Sequence, residues 1–315
     1  MSALALLAVL LAAAAAANAA PKPLTFSVFA KTSLPLGDVV WTGEQFVYVA
    51  ERTGELDTSA ADGSGLAAFA VLPSEYEEVR CAPSPGAHGW AAGELYCHGP
   101  HGEIWRVTAD GSVTVFATLL DTKLQDGSLT FDTAGGFGHA LLAASGGSAH
   151  SGGAVYAVGP DGRVRRLGSY PGPGGVENVE LAPAGFGSVA GELLLAIDAR
   201  GKGGRLLAFS PRGKVRLLAK FAHGINPIAA IAGTPTGGAA RAGFYVSDTL
   251  SMNVYFIPAA QLAAYAGAVL VGGEKGSARF WVVQPGGRGF RAVRLHSNLE
   301  HLRGSWNFEG ATYLP

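Results

Sequence analysis

The 315-residue chain carries 23 basic and 24 acidic side chains, so there is no overall basic excess to neutralise phosphates, which argues against a nucleic-acid binder. Apolar residues make up 48% of the chain and charged ones only 15%, enough for a large buried core in one large domain or two ordinary ones. The 46 glycines are spread along the chain, which points to tight turns between many short strands and not to a collagen or a linker.

The chain opens on "MSALALLAVLLAAAAAANAA", an apolar run followed by small residues. Ala17-Asn18-Ala19 fits a small-x-small cleavage pattern, so residues 1–19 read as a secretory signal peptide. An uncleaved anchor is the rival reading, although the run is short for a span and rich in alanine. Export places the mature chain outside the cell or in a periplasm. No later segment is long and apolar enough for a stable membrane span after cleavage. Residues 20–315 are expected to form a single domain.

"LTFSVFA" from Leu24 reads as a strand able to pair with C-terminal strands. "LGDVVWTGEQFVYVAERTGELDTSAADGSGLAAFAVL" follows as a first unit of short strands. Cys81 and Cys97 then lie in "EEVRCAP" and "GELYCHG". Adjacent antiparallel strands would bring them opposite each other, and export permits a disulfide. Two buried thiols are the alternative.

Three later segments align without gaps: "GEIWRVTADGSVTVFATL" from Gly102, "GAVYAVGPDGRVRRLGSY" from Gly153 and "GRLLAFSPRGKVRLLAKF" from Gly204, spaced roughly 50 residues apart. Each is a strand, a turn ("ADG", "PDG", "PRG") and a second strand, with glycine supplying the turn's positive φ. The segments before them also match, "EEVRCAP" with "ENVELAP", so each unit reads as four short strands. "INPIAAIAGTP…AGFYVSDTLSMNVYFIPAA" reads as a fifth unit, and the segment from Ala278 to Pro315 supplies strands for a sixth. "IPAAQLAAYAG", Ile257 to Gly267, reads as a short helical insertion.

Four-stranded units at this period are the signature of a β-propeller. One such sheet cannot bury both faces alone, and packing between two neighbours in a ring does so. The expected fold is therefore an all-β six-bladed propeller with four antiparallel strands per blade, five blades being the alternative. "GEIWRVTADGSVTVFA" and "GAVYAVGPDGRVRRL" resemble blades of the six-bladed NHL-repeat and SMP-30/gluconolactonase-like propellers, over roughly Asp38 to Pro315.

The first strand of each blade should line the channel. The residues at its start are Asp38, Glu77, Asp126, Glu177 and Asn226, with Glu309 a sixth candidate. Carboxylates crowded around one axis raise one another's pKa or recruit a cation, and oxygen ligands suit Ca²⁺ or Mg²⁺. The resemblance implies a divalent metal held by Glu, Asn and Asp, for which Glu177, Asn226 and Asp38 or Asp126 are the nearest equivalents. The plain alternative is that these groups cap backbone donors or stand in water.

Three functions fit. One is a binding propeller holding a small polar or carbohydrate-like ligand, with a divalent cation, at the acidic mouth. Another is a metal-dependent lactonase or ester hydrolase with Glu177 as general base. The third is a structural or protein-interaction propeller with an empty channel. The histidines 88, 98 and 101 show no zinc-ligand spacing and read as surface-loop residues, while Trp41, Trp105 and Trp281 read as blade-to-blade core.

Overall fold

The repeated hairpins assemble into six sheets of four strands. The computed structural model describes residues 22–73, 78–120, 127–148, 150–199, 203–232, 240–274, 276, 278–287, 289–301 and 306–315. The proposed signal segment, Glu77 and Asp126 lie outside the described residues. Blade 1 comprises β2 (Leu36–Trp41), β3 (Phe46–Ala50), β4 (Glu55–Ser59) and β5 (Ala67–Val71). Blade 2 comprises β6 (Arg80–Pro83), β7 (Leu95–His98), β8 (Glu103–Val107) and β9 (Val113–Thr118). Blade 3 comprises β10 (Gly127–Phe131), β11 (Leu141–Ser145), β12 (Ala154–Val158) and β13 (Val164–Ser169). Blade 4 comprises β14 (Gly175–Leu181), β15 (Leu193–Asp198), β16 (Gly204–Phe209) and β17 (Val215–Lys220).

The last two blades are interleaved, which the repeat spacing did not reveal. After β18 (Ile225–Ala230) the chain leaves blade 5 and lays β19 (Gly243–Asp248) and β20 (Asn253–Pro258) into blade 6. The short helix α1 (Ala259–Leu262) and a 3-10 turn, Ala263–Tyr265, fall where the helical insertion was expected. They lead back to β21 (Val269–Gly273), β22 (Phe280–Gly286) and β23 (Gly289–Leu295), which complete blade 5. "GFYVSD" and "NVYFIP" therefore belong to blade 6 and not to the fifth unit. Blade 6 is closed by β1 (Ser27–Lys31) on its outside and β24 (Phe308–Leu314) on its inside, so the first and last strands share one sheet. The innermost strands touch in the cyclic order β2, β6, β10, β14, β18, β24 and back to β2.

Burial follows from this ring. Middle strands are covered on both faces by neighbouring blades, so β12 and β15 are buried at every residue and read as nearly continuous apolar runs. Outer strands such as β17 have one wet face and mix Arg and Lys with Leu. The core separates into six apolar clusters, one at each blade interface. Trp105 packs between blades 1 and 2, Trp281 lies against Phe221 between blades 4 and 5, and Trp41 against Phe46 between blades 6 and 1.

The turn glycines do more than reverse the chain. Gly63, Gly111, Gly162 and Gly213 all have φ between 76° and 84°. Each also sits against a main-chain carbonyl in the preceding blade's outer strand: Phe29, Phe69, Phe116 and Leu167 respectively. Those four residues fall where the pairing register of the outer strand shifts, so each marks a β-bulge. A Cβ on Gly111 would overlap the Phe69 carbonyl, so the repeated glycine is required for blade-to-blade contact as well as for φ.

Candidate functional site at the channel mouth

Because strands one and two of each blade are antiparallel, the start of the first and the end of the second lie at the same end of the channel. Polar residues collect there. Strand starts supply Asp38, Glu78, Glu177, Asn226 and Glu309, and strand ends supply Glu51, His98, Ser145, Asp198, Asp248 and Glu274.

At the focus stands Arg80, from the first residue of β6, only 1% exposed. Its Nη2 donates to Glu78 Oε2 at 3.0 Å, Glu309 Oε2 at 2.9 Å and Asn226 Oδ1 at 3.2 Å. Its Nε donates to the Glu177 carbonyl at 3.1 Å, and its Nη1 to the Gly37 carbonyl. One guanidinium thus joins its own blade to blades 1, 4, 5 and 6 across the channel. Burial alone would weaken its charge, and Glu78, Glu309, Asp38 and Glu177 more than offset that and hold it protonated. Asn226 Nδ2 completes the knot by donating to Glu309 Oε2.

Glu309 takes up a proton far more readily than an ordinary carboxylate. Burial is the main cause, and Glu78, Glu274 and Glu51 add repulsion against the pull of Arg80.

Other polar groups in the channel fasten inner strands together. An innermost strand has one edge without a strand partner, and its N–H groups need acceptors. Asp38 Oδ1 accepts from Val39 N–H at 2.8 Å and Oδ2 from Cys81 N–H of blade 2 at 3.0 Å. Ser128 Oγ accepts from Val179 N–H of blade 4 at 3.2 Å. Glu180 accepts from Leu181 N–H at 2.9 Å and from Ala230 N–H of blade 5. Burial pushes Asp38 up to about 6 and Glu180 up to about 7, although these N–H donors pull both down. Glu180 is surrounded by protein yet keeps some exposure because it faces the channel cavity. That cavity, about 100 Å³ and lined by Asp38, Arg80, Ser128, Thr130, Glu180 and Thr312 among others, extends from Arg80 away from the mouth. It has room for roughly three waters, too little for a metabolite.

A larger cavity, about 480 Å³, lies elsewhere, between blades 1 and 2 at the opposite end. Thr42, Gln45, Phe69, Pro85 and Gly93 line it, and none of the mouth residues does. Volume and chemistry point to different places. The mouth carries the convergent polar groups and perturbed carboxyls that mark a binding site.

Of the residues singled out from the sequence, the structure brings Asn226 and Glu309 into direct contact, and it places Glu177 beside Arg80 through its carbonyl and charge. Asp38 stands at the ring with both oxygens engaged by backbone N–H groups. Sequence reasoning passed over Arg80. The available signal was a lone cation in the inner strand "VRCAP", at the position that holds Glu180 in "VELAP". It also misplaced His98. That side chain is fully buried, with Nε2 3.1 Å from Ser145 Oγ, and burial pushes it down to about 4, so it is neutral. Its ring fills the space a Cβ on Gly127 would need. His88, by contrast, stacks on His139 with ring centroids 3.6 Å apart, and His101 is exposed. Cys81 and Cys97 are Cα partners across β6 and β7 and form a disulfide.

Among the described residues, the centre of the ring does not fit a metal ion. Arg80 Nη2 already takes oxygens from Glu78, Asn226 and Glu309, and among the described residues no three His, Cys, Asp or Glu side chains form a metal cluster.

No protein-family profile matches the chain. No curated protein matches it either. Among solved structures, TolB from Acinetobacter baumannii superposes with a TM-score of 0.51 at 13% identity, covering 89% of this chain and 57% of TolB. The chain thus spans little more than half the length of that protein. Regucalcin from Agrobacterium tumefaciens, described as a calcium-binding protein, gives a TM-score of 0.49 at 13% identity, covering 87% of this chain and 79% of regucalcin. At such identity the TolB likeness speaks to the propeller fold alone.

Proposed function

We propose that this protein is a binding propeller whose acidic channel mouth holds a small polar ligand through a positively charged group. The observation that carries this reading is the convergence of carboxyls from several blades beside Arg80 at the mouth. Glu78, Glu274 and Glu51 each repel negative charge on the buried Glu309 carboxyl, while Arg80 draws it the other way. A ligand amine above Glu78, whose side chain is 30% exposed, would relieve the repulsion without displacing Arg80. The narrow cavity beyond Arg80 keeps such a ligand at the mouth. Export, expected from residues 1–19, is supported by the Cys81–Cys97 bond, since disulfides persist in oxidising compartments.

The cation expected from the sequence is the competing occupant, and one experiment separates the two. Thermal stability is followed with glucosamine, glucose, galacturonate and CaCl₂ in parallel, because a ligand specific for the native state raises its stability. Stabilisation by the amino sugar above glucose, absent in Glu78→Gln, is the expected result. Stabilisation by CaCl₂ alone would replace this reading with the metal-binding one, on which a lactonase with Glu177 as base depends. No response to any of the four would leave a structural propeller.

A further inference from the structure

The mouth holds the acidic charge, and the opposite sign collects on the outer rim. The outer strands of three consecutive blades carry Arg165 and Arg166 (β13), Arg216 and Lys220 (β17), and Arg291 and Arg294 (β23), with no acidic residue among them. Their turns add Arg163, Arg212 and Lys214. Acidic neighbours are few: Asp161 pairs with Arg163, Glu300 with Arg294, and Glu192 lies near Arg216 and Lys214. Arg165, Lys220 and Arg291 are exposed and have no ion-pair partner among the described residues.

The usual reason for charge on an edge strand is to block pairing with other edges. The molecule itself argues against that reason here. The outer strands β5 and β9 of blades 1 and 2 contain no charged residue and are blunted by their bulges alone. β13 and β17 carry the same bulge and still add arginine and lysine. Edge protection does not require the cations of β13 and β17, which call for another explanation, and β23, paired without such a bulge, extends the same basic sector.

We propose that the outer rim of blades 3 to 5 is an interaction surface for a linear acidic polysaccharide. Arginine predominates, and its planar fork matches carboxylate and sulfate oxygens. The rim is convex, because it is the outside of a ring of blades. A flat anionic membrane or a stiff duplex meets a convex rim over a short arc, whereas a flexible chain follows it from blade to blade. Single-stranded nucleic acid would want aromatic platforms for its bases. β13 and β17 have none, and Phe290 of β23 is turned inward against Phe186.

The test uses the full chain with heparin and polygalacturonate as probes, at low salt and over a salt series. Both should bind, with affinity falling steeply as salt rises. The variant Arg165→Glu/Lys220→Glu/Arg291→Glu should weaken both by at least about tenfold. Lys31→Glu, on β1 of blade 6 outside the basic sector, should leave them unchanged. Circular dichroism and the melting temperature verify that each variant is folded. Equal losses in the triple variant and in Lys31→Glu would sink the proposal, as would absence of binding at low salt. Tighter binding to duplex DNA or to phosphatidylglycerol vesicles than to either polysaccharide would assign the rim to a different partner.

Discussion

Arg80 Nη2 lies 2.9 Å from Glu309 Oε2, and this contact joins the second blade to the innermost strand of the sixth across the channel. The two residues are 229 positions apart in sequence, and the side chains of both are almost fully buried. Removing one partner of such a pair leaves a buried charge without compensation, which costs about 3–5 kcal/mol. Arg80→Met should therefore destabilise the fold by about that much in urea denaturation. The double variant Arg80→Met/Glu309→Gln should recover part of the loss. Strictly additive costs would show that the pair does not act as a unit.

Stability should rise as the solution is made mildly acidic. The folded-state pKa of Asp38 is raised to about 6 and that of Glu180 to about 7, with Glu309 shifted the same way. A carboxyl raised on folding binds more protons in the native state than in the unfolded one, so its contribution is present at low pH and is lost as pH climbs through the folded value. His98 opposes this. Its depressed value stabilises the fold above about 6.5, and that contribution fades as pH falls toward about 4. Three carboxyls outweigh one imidazole, so the melting temperature should be higher near pH 5 than near pH 8. Glu180→Gln should flatten the profile, its own shift being linked to about 3 kcal/mol. A wild-type profile rising steadily toward pH 8 would contradict the placement of these groups.

Reduction should weaken the inner half of blade 2. Cys81 and Cys97 are 16 residues apart, and cross-linking a loop of that size is worth about 3 kcal/mol in the chain-entropy picture. Cys81→Ala/Cys97→Ala should lower the urea midpoint accordingly and abolish the response to dithiothreitol. An unchanged midpoint would mean that the β6–β7 pairing needs no bridge.

Two glycines with similar φ should respond differently to the same substitution. Gly65 has φ +70° with open space around it, and Gly111 has φ +81° with the Phe69 carbonyl in the way. Gly65→Ala pays only the conformational penalty, about 1 kcal/mol. Gly111→Ala should cost clearly more, because two blades must also separate. Equal losses would show that the blade contact at Phe69 contributes little.

The periodic part of the fold was readable from sequence because each unit repeats its own local chemistry. A strand, an Asp-Gly or Arg-Gly turn and a second strand recur at even spacing, and that alone orders blades 2 to 4. The exchange of strands between blades 5 and 6 was hidden, since "GFYVSD" and "NVYFIP" are equally good strands in either sheet. At the mouth, alignment of strand starts found Glu177, Asn226 and Glu309 but passed over Arg80. Its role depends on side-chain reach across the axis, which spacing along the chain does not encode. His98 was misread for a related reason. A histidine beside glycines resembles a loop residue until Gly127 of the next blade is seen to leave room for its ring.

The exchange between blades 5 and 6 limits how this molecule can be divided. Repeat proteins ordinarily gain or lose whole units, because each unit contacts only its neighbours. Here no cut between β18 and β24 separates one complete sheet from the next. The two blades form a single indivisible module, and they can be duplicated, deleted or transplanted only together. During synthesis β18 is made well before its partner β21, so the channel gains its final wall only once β24 is available to pair with β19.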